Sequence, residues 1–152
     1  MKDIALDGLT LRKYEMPSKA DRREMIRKYC LSLGLLQEGD SRDIIVDILL
    51  ALLDAKKQRK TLESIELAKL VEQIRKSYGL ECKGISEPNI RRQLKRLRDL
   101  MIVEKIKNSY RLSEFDSLTN ITSRIFSIKL KSISERILEY ARTIDAIEDK
   151  SE

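Results

Sequence analysis

Histidine does not occur in the 152-residue chain, which removes the commonest general base, proton shuttle and metal ligand together. Tryptophan is missing too, and the chain has only 2 Phe, 5 Tyr, 5 Gly and 2 Pro. So little turn chemistry disfavours loop-rich all-β folds and collagen-like repeats, and the 41 % hydrophobic fraction disfavours disorder. The two cysteines, Cys30 and Cys82, are far apart and have no second ligand at metal-binding spacing. They are read as buried small hydrophobes, and no metal is expected. No run approaches the roughly 18 apolar residues of a membrane span, and the opening MKDIALDGLTLRKYEM has no apolar signal core. A soluble cytoplasmic protein with no membrane partner is expected. Paired-carboxylate motifs and Gly-rich phosphate loops are also absent, so the sequence argues against an enzyme and for no cofactor.

What the chain has is charge and helical periodicity. Lys plus Arg number 31 and Asp plus Glu 25, a net charge of +6. The length suits one core, and the pattern is mainly α, in three parts: an arm and helix over 1–40, a central domain over 41–112 and a long helix over 113–152. The first 17 residues, with Ile4, Leu6, Leu9 and Leu11 between charges, fit either a packed arm or a mobile tail. Ser18 is the expected N-cap of a helix carrying Met25, Ile26, Tyr29, Cys30 and Leu33 and stopping at Gly34. Its other face, Lys19, Arg22, Arg23, Arg27 and Lys28, is read as solvated.

Ser41 is the expected cap of the central helix, whose stripe of Ile44, Ile45, Ile48, Leu49, Leu52 and Leu53 marks the core. A short strand at Thr61-Leu62-Glu63 leads to a helix capped by Ser64, carrying Ile65, Leu67, Ala68, Leu70, Val71 and Ile74 and ending near Tyr78-Gly79. Ser86 caps the next helix with Pro88 in its first turn, where the missing N–H costs nothing. That helix is read as running over 86–101, with an unbroken pattern to Ile102. Alternation from Val103 to Leu112 about Asn108-Ser109 predicts a short β-hairpin.

At 100° per residue, Ile90, Leu94, Leu97 and Met101 share one arc, with Asn89, Arg92, Lys95 and Arg96 opposite and Arg91 and Arg98 on a flank. Between Ser86 and Arg111 eight positive residues face only three negative ones, Glu87, Asp99 and Glu104, so a net +5 of the total +6 lies here. Five cations within eight residues repel one another, an arrangement suited to a polyanionic neighbour.

The order helix, short strand, helix, turn, basic helix and hairpin, with the runs SIELAKL and GISEPNIRRQLKRLRDLMIVEK, resembles the winged helix-turn-helix family of DNA-binding domains over about residues 41–112. The resemblance implies that the basic helix enters the major groove of double-stranded DNA and that the hairpin wing touches the backbone. It assigns base contacts to Asn89, Arg92 and Arg96, since Arg suits guanine O6/N7 and Asn suits adenine N6/N7. Phosphate contacts fall to Ser86, Arg91, Lys95, Arg98, Lys105, Lys107 and Arg111. Tyr110 is read as packing. The chain departs from the family pattern at Glu72 to Gly84, longer than the usual turn, and near Met101, where a glycine is common.

Beyond Ser117 the apolar positions Leu118, Ile121, Ile125 and Ile128 precede a second set, Leu130, Ile133, Ile137, Tyr140, Ile144 and Ile147. The two are out of phase, because a heptad step from Ile125 lands on Ser132, so the seam shifts or the helix bends there. A helix of about 46 Å at 1.5 Å per residue outruns a small domain. The expected partner is a second copy, paired through Ile121, Ile125, Ile128, Ile133, Ile137, Tyr140, Ile144 and Ile147, as in a homodimeric transcription regulator. An interaction adaptor in a multisubunit complex and a non-specific architectural DNA binder are the competing readings. No small-molecule effector is assigned.

Overall fold

A computed structural model describes residues 2–18 and 21–151. The chain is mainly helical, with a small three-stranded antiparallel sheet and a long C-terminal helix. Helix α1 spans Arg22–Ser32, α2 Ile44–Lys57, α3 Ser64–Ser77 and α4 Glu87–Asp99. Strand β1 is Leu62–Glu63, β2 Val103–Ile106 and β3 Ser109–Leu112, in spatial order β1-β3-β2. Helix α5, Leu118–Arg124, continues through a π-helical stretch, Ile125–Leu130, into α6, Lys131–Lys150.

Helix α2 is the centre. Ile45, Ile48, Leu49 and Leu52 are almost wholly buried, with α1, α3, α4 and β3 packed around them. At roughly 1.5–3 kcal/mol for each large side chain, this stripe is a major contributor to folding. Leu67 and Val71 of α3, Ile90, Leu94 and Leu97 of α4, and Ile102 and Leu112 beside the sheet complete the core.

Several helix ends differ from expectation. Asp21, not Ser18, caps α1, accepting from the N–H groups of Arg23 and Glu24; Lys19 of the expected basic face lies outside the described residues. Glu63, not Ser64, caps α3 in a reciprocal capping box with Glu66. Asp43, not Ser41, occupies the N-cap of α2 and makes no side-chain cap bond. Helix α4 stops at Asp99 instead of running to Ile102. Met101 turns into the left-handed region (φ 66°), its N–H donates to Arg98 O, and the Ile102 N–H reaches back to Leu97 O at 3.0 Å. This is a Schellman close without its usual glycine, sealed by the buried Leu97 and Ile102. The hairpin turns one residue earlier than expected, at Lys107-Asn108, because Ile106 pairs with Ser109.

From Leu9 to Tyr14 the amino-terminal segment is a packed arm, whereas Ile4 and Leu6 before it are exposed. Arg12 N–H donates to Ser32 O, its guanidinium reaches Leu31 O, Leu36 O and Gln37, and Leu9 and Tyr14 rest on the core. Gly34 has φ +71°, and a Cβ there would lie 2.6 Å from Thr10 Cβ, so the arm's path requires a glycine.

The two buried isoleucines of the C-terminal helix correct the expected seam. Ile121 and Ile125 are fully buried in the protomer's own core, whereas Ile128, Ile137, Tyr140, Ile144 and Ile147 are exposed and Ile133 is half-buried. The change of phase falls on the π-helical stretch. Ile133 follows Ile125 by eight residues, which would turn it about 80° away on a regular α-helix; wider π turns absorb the extra residue. The helix thus carries its apolar stripe from the core out along α6.

Candidate nucleic-acid interface

Helix α4 is anchored twice at its start. Ser86 Oγ accepts from Asn89 N–H at its start, and Ser64 Oγ donates to Glu87 Oε1 at 2.8 Å, tying the first turns of α3 and α4 together. Ile90, Leu94 and Leu97 are fully buried, which leaves Arg91, Arg92, Lys95, Arg96 and Arg98 exposed on the outer surface.

The expected site residues do not all stand free. Asn89 is half-buried: its Nδ2 donates to Gly84 O at 2.8 Å and its Oδ1 accepts from Arg92 Nη1 at 3.0 Å. It ties the preceding loop to the helix and orients Arg92. Arg96 Nη1 donates to Gln93 Oε1 at 2.9 Å, and its Nη2 lies 3.5 Å from Gly34 O, so it leans toward the loop after α1. Arg91 pairs with Glu87 at 2.7 Å and Lys95 with Asp99 at 3.0 Å, both one helical turn away. The cationic run therefore does have acidic partners, at its two ends and not in its middle. Both pairs are exposed, and exposed pairs are worth only about 0–1 kcal/mol, so an incoming phosphate displaces them at little cost.

Among the described residues, Arg92, Arg96 and Arg98 have no carboxylate within ion-pair distance, and nor do Lys105 and Lys107 of the hairpin. Lys105 lies over the Tyr110 ring at 5.7 Å, and Tyr110 is itself buried against β1 and β2. Arg111 differs from the expectation most. Its Nε donates to Glu104 Oε1 at 2.6 Å and its guanidinium stacks over Phe115 at 4.6 Å, so it is a half-buried cross-strand partner. Burial would raise the Glu104 carboxyl, but the Glu114 N–H and the Arg111 guanidinium outweigh it and hold the group below its ordinary value.

The feature that sequence reasoning missed lies behind this surface. Arg23 and Arg75 meet Asp43 and Asp47 in a buried cluster joining α1, α2 and α3. Arg23 grips Asp47 through Nε (2.8 Å) and Nη2 (3.0 Å), while Arg75 Nη1 reaches Asp43 at 2.8 Å and Asp47 at 2.7 Å. Burial works against both guanidinium charges, yet the carboxylates prevail and hold both groups above their ordinary values. Arg23 thus leaves the solvated face expected of α1. The available signal was Asp47 itself, an acid inside the run IIVDILLALL.

Cys30 is buried as expected, and burial pushes its thiol up to about 12, which keeps it inert. Cys82 is exposed, contrary to expectation. Among the described residues no group of acids and cysteines is arranged to hold a metal ion, and no helix is long and apolar enough to cross a membrane. No protein-family model, curated protein or solved structure matches the chain.

Proposed function

We propose that the protein is a homodimeric winged-helix protein that binds double-stranded DNA and regulates transcription, with α4 in the major groove and the β2–β3 hairpin as a wing on the backbone. The observation carrying this reading is that α4 buries Ile90, Leu94 and Leu97 against the core while five cations stay exposed on its other side. The succession α2, β1, α3, α4 and hairpin, with β1 closing the sheet beside β3, supports it. Arg92, pre-oriented by Asn89, and Arg96 are the base readers. Arg98, Lys105 and Lys107 contact phosphates, joined by Arg91 and Lys95 once Glu87 and Asp99 are displaced. Arg111 has a structural duty toward Glu104 instead. The exposed stripe Ile137, Tyr140, Ile144 and Ile147 is the surface for a second copy.

The engagement of Asn89 with Gly84 favours one second reading, a DNA binder with little sequence preference, because one of the three expected base readers is already occupied. Fluorescence anisotropy with a selected duplex and a random one separates the two. For the regulator, Arg92→Ala costs about 1–3 kcal/mol on the selected duplex and relaxes preference, whereas Lys107→Ala weakens both duplexes alike and lowers the salt slope by about one. Equal losses from both variants on both duplexes identify the non-specific binder. Failure to bind either duplex at low salt removes the DNA reading and leaves a protein-interaction module.

A further inference from the structure

We propose that a pocket on the approach to α2 is a binding site for a phosphate group. Ser41, Arg42, Arg75, Glu81 and Lys83 line this pocket of about 180 Å³, which has room for one tetrahedral oxyanion and some hydration.

Its floor is the observation that points to a ligand. Arg75 is only 3 % exposed. Its Nη1 serves Asp43 and Asp47 and its Nε donates to Glu81 O, but its Nη2 has no hydrogen-bond partner among the described residues. Nη2 is not sealed from solvent, so its two N–H groups are open to an acceptor, and the pocket that Arg75 lines is where one can enter.

The rim is made of donors. Arg42 and Lys83 are exposed cations and Ser41 offers a hydroxyl. The only acid in the lining, Glu81, is an exposed side chain 3.7 Å from Lys83, a weak pair that opens without cost to the core. The adjoining end of α2 is also short of an acceptor. Its N-cap carboxylate, Asp43, is turned to Arg23 and Arg75 and makes no cap bond, and Asp47 in the first turn is held by the same two arginines. A doubly or singly charged phosphate answers these unmet donors better than water does.

The phosphate group has two possible sources. Arg42 also lines a small polar cleft with Arg96 of α4, so the site adjoins the cationic surface proposed for DNA, and a backbone phosphodiester could fill it. A free phosphate or phosphate monoester would fit the same donors. The site stands on its own residues and does not depend on the DNA reading.

Thermal unfolding of the full chain in inorganic phosphate, against sodium chloride at matched ionic strength, tests it. The midpoint should rise with the logarithm of phosphate concentration beyond the chloride control. Arg42→Ala/Lys83→Ala, both at exposed positions, should abolish that excess, while Arg91→Ala/Lys95→Ala on α4 should retain it. Coincident phosphate and chloride curves, or an undiminished response in Arg42→Ala/Lys83→Ala, would overturn the proposal. A salt titration of duplex binding then identifies the source. A backbone phosphate gives a slope reduced by about 0.9 in Arg42→Ala/Lys83→Ala. An unchanged slope with the phosphate response lost assigns the site to a free phosphate-bearing ligand.

Discussion

Arg23 of α1 and Asp47 of α2 lock together through two parallel hydrogen bonds, 2.8 and 3.0 Å long, in a place where Asp47 has no exposed surface. Arg75 closes the arrangement from α3, so three helices converge on one carboxylate. Two buried cations meet two buried anions, with Arg27 3.9 Å from Asp43 at the edge, so among the described residues each buried charge of the cluster has a partner. Removing one member is therefore far more damaging than the modest net value of the intact group. Asp47→Asn should destabilise the protein by about 3–5 kcal/mol, read from the urea midpoint, with the far-ultraviolet spectrum reporting any loss of helix. An effect below about 1 kcal/mol would mean that the cluster does not hold the three helices together.

The C-terminal helix offers a contrast between isoleucines that look equivalent in the sequence. Ile125 is fully buried and Ile137 is 63 % exposed. Ile125→Ala should cost about 2–5 kcal/mol in monomer stability through the cavity it leaves. On the proposed pairing of two copies, Ile137→Asp/Ile144→Asp should leave the chain folded and shift sedimentation from dimer to monomer, because these exposed side chains lie outside the core. A double variant that still sediments as a dimer would place the second copy elsewhere.

Acid should weaken the junction between the hairpin and α5. Arg124 donates to Asp116 at 2.8 Å, and this bond, with those from Asn120 and the Ser117 N–H, lowers the Asp116 carboxyl from 3.8 to about 2. A carboxyl depressed in the folded state binds fewer protons there than in the unfolded chain. Its contribution is complete above about pH 4 and disappears as pH falls through 2. The difference in melting temperature between the parent and Asp116→Asn should narrow across that interval; a gap that stays constant from pH 5 to pH 2 would show that the ionised form contributes nothing.

The arm should come loose when Gly34 gains a side chain. Gly34→Ala meets both the collision with Thr10 and the left-handed backbone, a cost of about 1–3 kcal/mol. Limited proteolysis should cut the arm faster in this variant. Adding Thr10→Gly removes the collision and leaves only the backbone strain, so the double variant should recover part of the protection. No recovery would mean that backbone conformation alone is responsible.

Much of this architecture is legible in the sequence. The α2 stripe, the Ser86 cap, Pro88 in the first turn, the buried face of α4 and the hairpin all follow from spacings within a few residues, and each is found. The break in phase between Ile125 and Ile133 was legible as a shift or a bend, and its form is a π-helical stretch. Less legible were the helix ends. Ser18, Ser41 and Ser64 are all good capping residues, but an acid near each start takes the N-cap position instead. At α2 the acid, Asp43, serves the buried cluster more than the helix.

The candidate interface divides in the same way. The concentration of positive charge between Ser86 and Arg111 is a property of the chain and survives folding. Which of those charges face solvent without a carboxylate does not follow from counting them. Arg111 is matched across the hairpin to Glu104, and Asn89 is drawn back to Gly84, because folding sets donors beside acceptors that periodicity alone does not reveal.

Local spacing was enough to set where helices and strands form, since turn chemistry and apolar periodicity act over three or four neighbours. Long-range packing settled the rest: that Arg23 and Arg75 lie inside, that Ile121 and Ile125 are buried in the core while Ile137 and Ile144 stay exposed, and that Arg75 opens onto a pocket. Charges can be buried only where opposite charges from distant segments arrive together. Asp47 meets its arginines across 24 and 28 residues of chain, a distance over which no local pattern carries information.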